Sequence, residues 1–315
     1  MSAIRNEIER NEITFGIEIE CFIPREQIRA RNIQIGRYHW GTPLPEPFPY
    51  RWEAQADGSI QSQPGYVAVE IVSPPLKGLD GYRQIEKVAE LLNEMGAQTN
   101  TSCGIHVHVG AQSILGNDIH NYDIVAQWIR NVFRLTSIHE HALYAVGNSP
   151  ARLRSSYCHS VKSSFNPNDF ENDKDYNDLH RKINNEGRYH TLNTTTMFRP
   201  NTRSRTIEFR IFAHTLHPAK MIGYVMLATS IAAKAATVNY TRKFNSDHNV
   251  NRNYANATHR LHCLVGMNYN DPNNPVAGVP DEAWNEYGTR VLKNQRYSAR
   301  RFDERAPNNT SPYGY

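Results

Sequence analysis

The chain has 315 residues, 39% hydrophobic and 21% charged, an ordinary globular composition long enough for one large core or two modest ones. Its 35 basic residues against 31 acidic give a net charge of +4, which demands neither a nucleic-acid nor a membrane partner. The charged opening stretch argues against a secretory signal, and the apolar segment 221–233, bounded by Lys220 and Lys234, is too short to span a bilayer. Cys21, Cys103, Cys158 and Cys263 lie far apart without a CxxC pair, so reduced thiols and a cytoplasmic location are expected rather than a disulfide framework or a cysteine–zinc site.

The first element is a strand. In "TFGIEIECFI" (14–23), Phe15, Ile17, Ile19 and Cys21 fall on one side, with Ile13 before them, and Glu18 and Glu20 on the other. Two carboxylates side by side repel, so something must compensate them. The proline-rich stretch 24–65 reads as a surface excursion of the length used for lids and binding loops, with a short strand near "RWEAQADGSI". "YVAVEIVSPP" alternates again, Val67, Val69 and Ile71 against Glu70, until Pro74 and Pro75 stop it. A helix is predicted over 80–95, with Asp80 as N-cap, a stripe from Tyr82 to Met95, and Gly96 closing it.

"CGIHVHVG" (103–110) sets Ile105, Val107 and Val109 against His106 and His108. A long helix is predicted over 119–145, then a polar, irregular stretch 148–187 with a short helix at 175–183. Two strands follow, 188–198 and 205–213; in the second, Ile207, Phe209 and Ile211 oppose Glu208, Arg210 and Phe212. A helix begun by Pro218 covers 218–238, loop covers 245–278, and a last helix covers 281–293. The remainder, 294–315, is basic and expected to be a flexible tail, leaving 1–293 as a single domain without internal repeats.

Each of these strands has one apolar face and places ionisable groups on the other: Glu18 and Glu20, Glu70, His106 and His108, Glu208 and Arg210. Gathered on one sheet, four glutamates and two histidines make a site for divalent cations, which would supply the missing positive charge. Oxygen-rich donors suit magnesium or manganese better than zinc. Arg210 could clamp a phosphate. No GxxxxGK[ST] or kinase-type GxGxxG is present, so any nucleotide must be bound by the sheet.

"GIEIE", "DGS…VEIVSPPL", "CGIHVHVG" and "RTIEFRIF", in that order over about residues 15–217, resemble the amidoligase family, a branch of the superfamily containing glutamine synthetase and glutamate–cysteine ligase. The resemblance implies an α+β fold: a curved, mainly antiparallel sheet with the site on its concave face and helices on the other. It implies an ATP-dependent carboxylate–amine ligase using two or three Mg2+ or Mn2+ ions and an acyl phosphate. Carried over residue by residue, Glu20 and Glu70 would hold the metal nearer the carboxylate substrate and Glu18, His106 and Glu208 the metal at the ATP phosphates, with Asp57 a further metal ligand. His108 would contact phosphate or the ligands, Arg210 would stabilise the transferring phosphoryl group, and Arg188 and Asn193 would touch substrate. The partners implied are a small-molecule, peptide or protein carboxylate and an amine.

Other readings stand beside this one. A guanidino-type kinase could use the same sheet, and a nucleic-acid or assembly protein could have kept the fold, with the basic tail its one support. "HEHA" (139–142) is not HExxH and reads as structural within its helix, and Cys103 reads as a small buried residue rather than a nucleophile.

Overall fold

The computed structural model describes residues 13–147, 149–161, 176–199, 205–238, 254–267 and 276–305. The alternation at 14–23 becomes strand β1 (Phe15–Pro24), with Ile17, Ile19, Cys21 and Ile23 buried beneath it. Strand β1 is the centre of a seven-stranded sheet. It pairs with β4 (Tyr66–Val72) on one side and β5 (Gly104–Gly110) on the other. Beyond β4 lie β3 (Glu53–Gln55) and β2 (Thr42–Pro43); beyond β5 lie β7 (Thr206–Ala213) and β6 (Leu192–Asn193). Every ladder is antiparallel, so the fold is α+β.

The apolar face carries the helices. Helix α2 (Gly78–Glu94) sets Tyr82 against Phe15 with ring centroids 4.9 Å apart. Helices α4 (Tyr122–Gly147) and α6 (Pro218–Thr237) pack on β7 and β5, and α8 (Asp281–Arg305) packs outside them. Shorter helices α1 (Arg25–Ala30), α3 (Gln112–Leu115) and α5 (Tyr176–Glu186) lie between strands, and α7 (Tyr254–Val265) wedges against α4 and α8. Among the described residues, no helix is long and apolar enough to cross a membrane.

Several expectations are corrected. Helix α2 begins at Gly78, not at an Asp80 cap: Lys77 precedes it in extended backbone, and the Asp80 carboxylate instead accepts from Gln84 Nε2 at 2.7 Å. The stretch 24–65 carries α1, β2 and β3 rather than one strand in a loop. The strand expected over 188–198 shrinks to β6, because Asn193 Oδ1 accepts the N–H and hydroxyl of Thr195 at 3.0 and 2.8 Å and turns the chain into a 3-10 segment.

Helix α7 lies within the expected loop 245–278; its Tyr254, Ala257, Leu261 and Val265 are spaced for one buried stripe, and residues 239–253 and 268–275 lie outside the described set. The last helix does not stop at 293. Its Gln295, Ser298, Ala299 and Phe302 stay buried, and Asp303 accepts the free N–H groups of Tyr254 and Ala255 at the start of α7 (2.7 and 3.0 Å), so the basic stretch is helical through Arg305. The tail 306–315 lies outside the described residues.

The last correction concerns β7. Ile105 pairs with Phe212, but Val107 pairs with Phe209, so one residue of β5, His106, faces two of β7, Arg210 and Ile211. This bulge inverts the alternation: Phe212 leaves the face of Glu208 and stacks on Tyr224 of α6, centroids 4.5 Å apart and planes 9° from parallel. Phe212→Ala is therefore expected to cost about 3–5 kcal/mol, as for a core aromatic, in denaturant melts. A loss under about 1 kcal/mol, as for a surface position, would contradict that side assignment.

Candidate active site

Register decides which side chains meet. Glu20 lies opposite Glu70, and Glu70 opposite Gln55 on its other side. Glu18 lies opposite His106, and His108 opposite Glu208, which in turn faces Asn193. Paired residues share a face, so side chains from six adjoining strands converge in one strip on the face away from α6.

His106 stands in the middle. Its Nδ1 is 3.1 Å from Glu18 Oε2 and 3.5 Å from Glu208 Oε1, and its Nε2 is 3.6 Å from Glu20 Oε1. His108 Nε2 is 3.0 Å from Glu18 Oε1. Arg210 Nη1 donates to Glu208 Oε1 at 2.5 Å, and Asn193 Nδ2 to Glu208 Oε2 at 2.6 Å. At the other end Gly104 N–H donates to Glu20 at 2.5 Å, and Gln55 Nε2 donates to Glu70.

These contacts set the charges. Burial works against ionisation of Glu18, but His108 and His106 overcome it and hold its carboxyl well below the usual range. Burial likewise opposes a charged His108, yet Glu18 and then Glu208 raise it to about 9. Glu208 is lowered, against burial, by His108 and Arg210. Glu70 goes the other way: burial, then the nearby charge of Glu18, pushes its carboxyl up to about 9, which the Gln55 bond only partly offsets. Among the described residues no lysine or arginine pairs with Glu20, Asp57 or Glu70.

Three sets of donor atoms each lie within 4.8 Å of one another: Glu20, Asp57 and Glu70; Glu18, Glu70 and His106; and Glu18, His108 and Glu208. The donors are hard oxygens with at most one imidazole per set, and the first set lacks a protein cation, so the chemistry fits a divalent oxygen-seeking ion. His106 remains near Glu208, but its set is with Glu18 and Glu70, while His108 joins Glu18 and Glu208.

The remaining expected residues lie around the strip. Asp57, half-buried after β3, accepts the N–H of Ser59 at 2.7 Å. Arg188 sits at the rim, its Nη2 donating to the Tyr38 hydroxyl at 2.7 Å and its guanidinium 5.2 Å from the Tyr189 ring centre. Asn193 is buried, with its amide engaged by Glu208 and Thr195, so it positions Glu208.

Two cavities flank the strip. One of about 230 Å3 opens at the Glu18–His108 end over Gly16, Ser73, Gly110 and Thr206. One of about 90 Å3 opens at the Glu20–Asp57 end beside Arg152, Arg188, Arg210 and Tyr189. Sequence reading missed Gln55 and Arg152. Gln55 was findable, since it shares a face with Asp57 two residues on; Arg152 follows α4 in a 3-10 turn (Pro150–Arg154) that carries no periodic signal.

Glu140 of "HEHA" is fully buried and accepts from Ser160 Oγ (2.5 Å), the Val161 N–H (3.0 Å) and Thr191 Oγ1 (2.6 Å), a structural anchor. Cys103 is buried, and burial raises its thiol.

A family model described as "Putative amidoligase enzyme" matches residues 11–232. A solved structure described as "Crystal structure of novel glutamine synthase homolog" aligns with 99% of this chain and 72% of its own, at 14% identity and a TM-score of 0.43. No curated protein matches. The family match spans most of the chain and every strand of the strip: the chain belongs to the amidoligase family, membership that supports a ligase-type function.

Proposed function

We propose that this chain is an ATP-dependent ligase that joins a carboxylate to an amine through an acyl phosphate. The observation that carries the reading is the convergence of Glu18, Glu20, Glu70, His106, His108 and Glu208, with Arg210, on one strip of sheet, in sets spaced for cations. Glu18, His108 and Glu208 would hold one divalent ion and Glu20, Asp57 and Glu70 another, with His106 between them. When bound, such ions neutralise phosphate charge and polarise the oxygens they touch.

A carboxylate is a poor electrophile because an amine cannot displace oxide from it. Transfer of a terminal phosphoryl group onto its oxygen creates a leaving group, and that step spreads charge over equatorial oxygens. Arg210, its guanidinium held by Glu208, would receive that charge. The larger cavity at the Glu18–His108 end would take the nucleotide, and the smaller one, between carboxylates and arginines, the acid. Asn193 then holds Glu208 in place, and Arg188 at the rim would meet the incoming substrate.

The test is a screen of acids and amines in pairs, with ATP and Mg2+ or Mn2+, read as ADP release and then as product mass. An amide is the expected product; a stable phosphorylated acceptor without an amide would mean a kinase and overturn the reading. Arg210→Met is expected to lower kcat by about 10²–10³ at temperatures where the variant stays folded, on the scale of losing one charge-stabilising donor. Glu20→Gln and Glu208→Gln are expected to abolish cation-dependent ADP release.

A second test needs no substrate. The raised Glu70 and His108 each keep a proton in the native state that the unfolded chain has released, Glu70 above its ordinary 4.5 and His108 above its ordinary 6.5. Where the native state binds more protons, stability falls as pH rises. The cation-free protein should therefore melt at progressively lower temperature from about pH 6.5 to about pH 9. Mg2+ or Mn2+ should restore it, more strongly at the alkaline end, releasing protons as it binds. A melting profile flat in pH and indifferent to cations would contradict the arrangement.

A further inference from the structure

The proposed function uses Arg210, whose guanidinium Glu208 holds, but leaves open what fixes its backbone. Arg210 sits in the β7 bulge, where two residues face one across the ladder and regular pairing is interrupted. Interrupted pairing leaves backbone groups in need of other partners. The Arg210 N–H reaches the Thr191 carbonyl at 2.9 Å, and the Arg210 carbonyl accepts Nη2 of Arg152.

Arg152 is only 6% exposed, and no ion pair joins it to a carboxylate among the described residues. Burying a guanidinium without a counter-charge is costly. Its position is nonetheless built in. It lies flat on Gly104, where an added Cβ would stand 2.6 Å from Nη2 and 3.0 Å from Cζ and Nη1. Gly104 N–H, in turn, holds Glu20. The absent side chain at 104 makes the room through which Arg152 reaches the bulge.

We infer that Arg152 is a positioning residue: by clamping the bulged carbonyl of Arg210 it fixes the direction in which the Arg210 guanidinium enters the site. The inference rests on the reading above that Arg210 serves a nucleotide's terminal phosphate, and it extends that reading to a residue outside the strands. Gly104 is part of the same device, because any larger residue there displaces the clamp.

The experiment compares the affinity of the purified full chain for ADP and for a non-hydrolysable ATP analogue, each with Mg2+. Arg210 on the terminal phosphate makes the analogue bind more tightly than ADP, by about tenfold or more for a charge-assisted contact, and Arg210→Met removes that preference. Arg152→Met, which keeps Arg210 but frees the bulge, should lose most of the preference with ADP affinity unchanged; Arg152→Lys, which keeps a donor, should recover part of it. Gly104→Ala should behave like Arg152→Met, and the double variant should be no worse than either single one, because both act through one contact.

Preference kept in Arg152→Met but lost in Arg210→Met overturns the positioning role alone. Preference kept in Arg210→Met overturns the phosphate role of Arg210, and this inference with it. If Arg152→Met does not fold, Arg152→Lys and Gly104→Ala decide: an undiminished preference in both overturns the clamp.

Discussion

The structure is organised around a shortage of positive charge. Four glutamates meet on one strip of sheet, and the basic side chains paired with them are the imidazoles of His106 and His108 and the guanidinium of Arg210. These suffice for Glu18 and Glu208, which are held ionised, but not for Glu70, which is driven to keep its proton. Carboxylates packed this closely are unfavourable unless something neutralises them, and hydrogen bonds from Gly104 and Gln55 address geometry more than charge. The antiparallel ladders force this crowding by setting Glu20 opposite Glu70 and Glu18 opposite His106. The apolar reverse face, sealed by α2, α4 and α6, keeps the strands in that register, because a one-residue slip would send the whole acidic set into the core.

Supports for the strip come from outside it. The carboxylate of Glu140 on α4 gathers Ser160, Val161 and Thr191, and the carbonyl of Thr191 then holds the N–H of Arg210. Arg210 is thus fastened through its backbone on both sides of its Cα, at its N–H by Thr191 and at its carbonyl by Arg152, while its side chain is fastened to Glu208. Three constraints on one arginine agree with a role in which direction matters more than bare charge.

The strip was legible because strand periodicity is short and strict. Glu18, Glu20, Glu70, His106, His108 and Glu208 could each be assigned a face from alternation alone, and the structure gathers them. What escaped has identifiable causes. Alternation assumes no bulge, so Phe212 was expected beside Glu208 when it stacks on Tyr224. Asparagine-rich flanks hid the four-residue spacing of Leu261 and Val265 in α7. Basic composition suggested a tail where Phe302 is in fact buried and Tyr254 lies against it, centroids 4.5 Å apart. Arg152 and Gly104 meet only in three dimensions, so nothing along the chain could announce them.

Strands and loops divide the work unequally. The charged floor comes almost wholly from strands, whereas the rim around the smaller cavity comes from connections: Tyr38 between α1 and β2, Tyr157 after the 3-10 turn, and Arg188 and Tyr189 before β6. Loops tolerate exchange far better than paired strands do. On the proposed function, a lineage carrying this scaffold would acquire new acids or amines by rewriting those three connections while the charged floor stays untouched, and loop grafting between relatives becomes a practical route to altered selectivity.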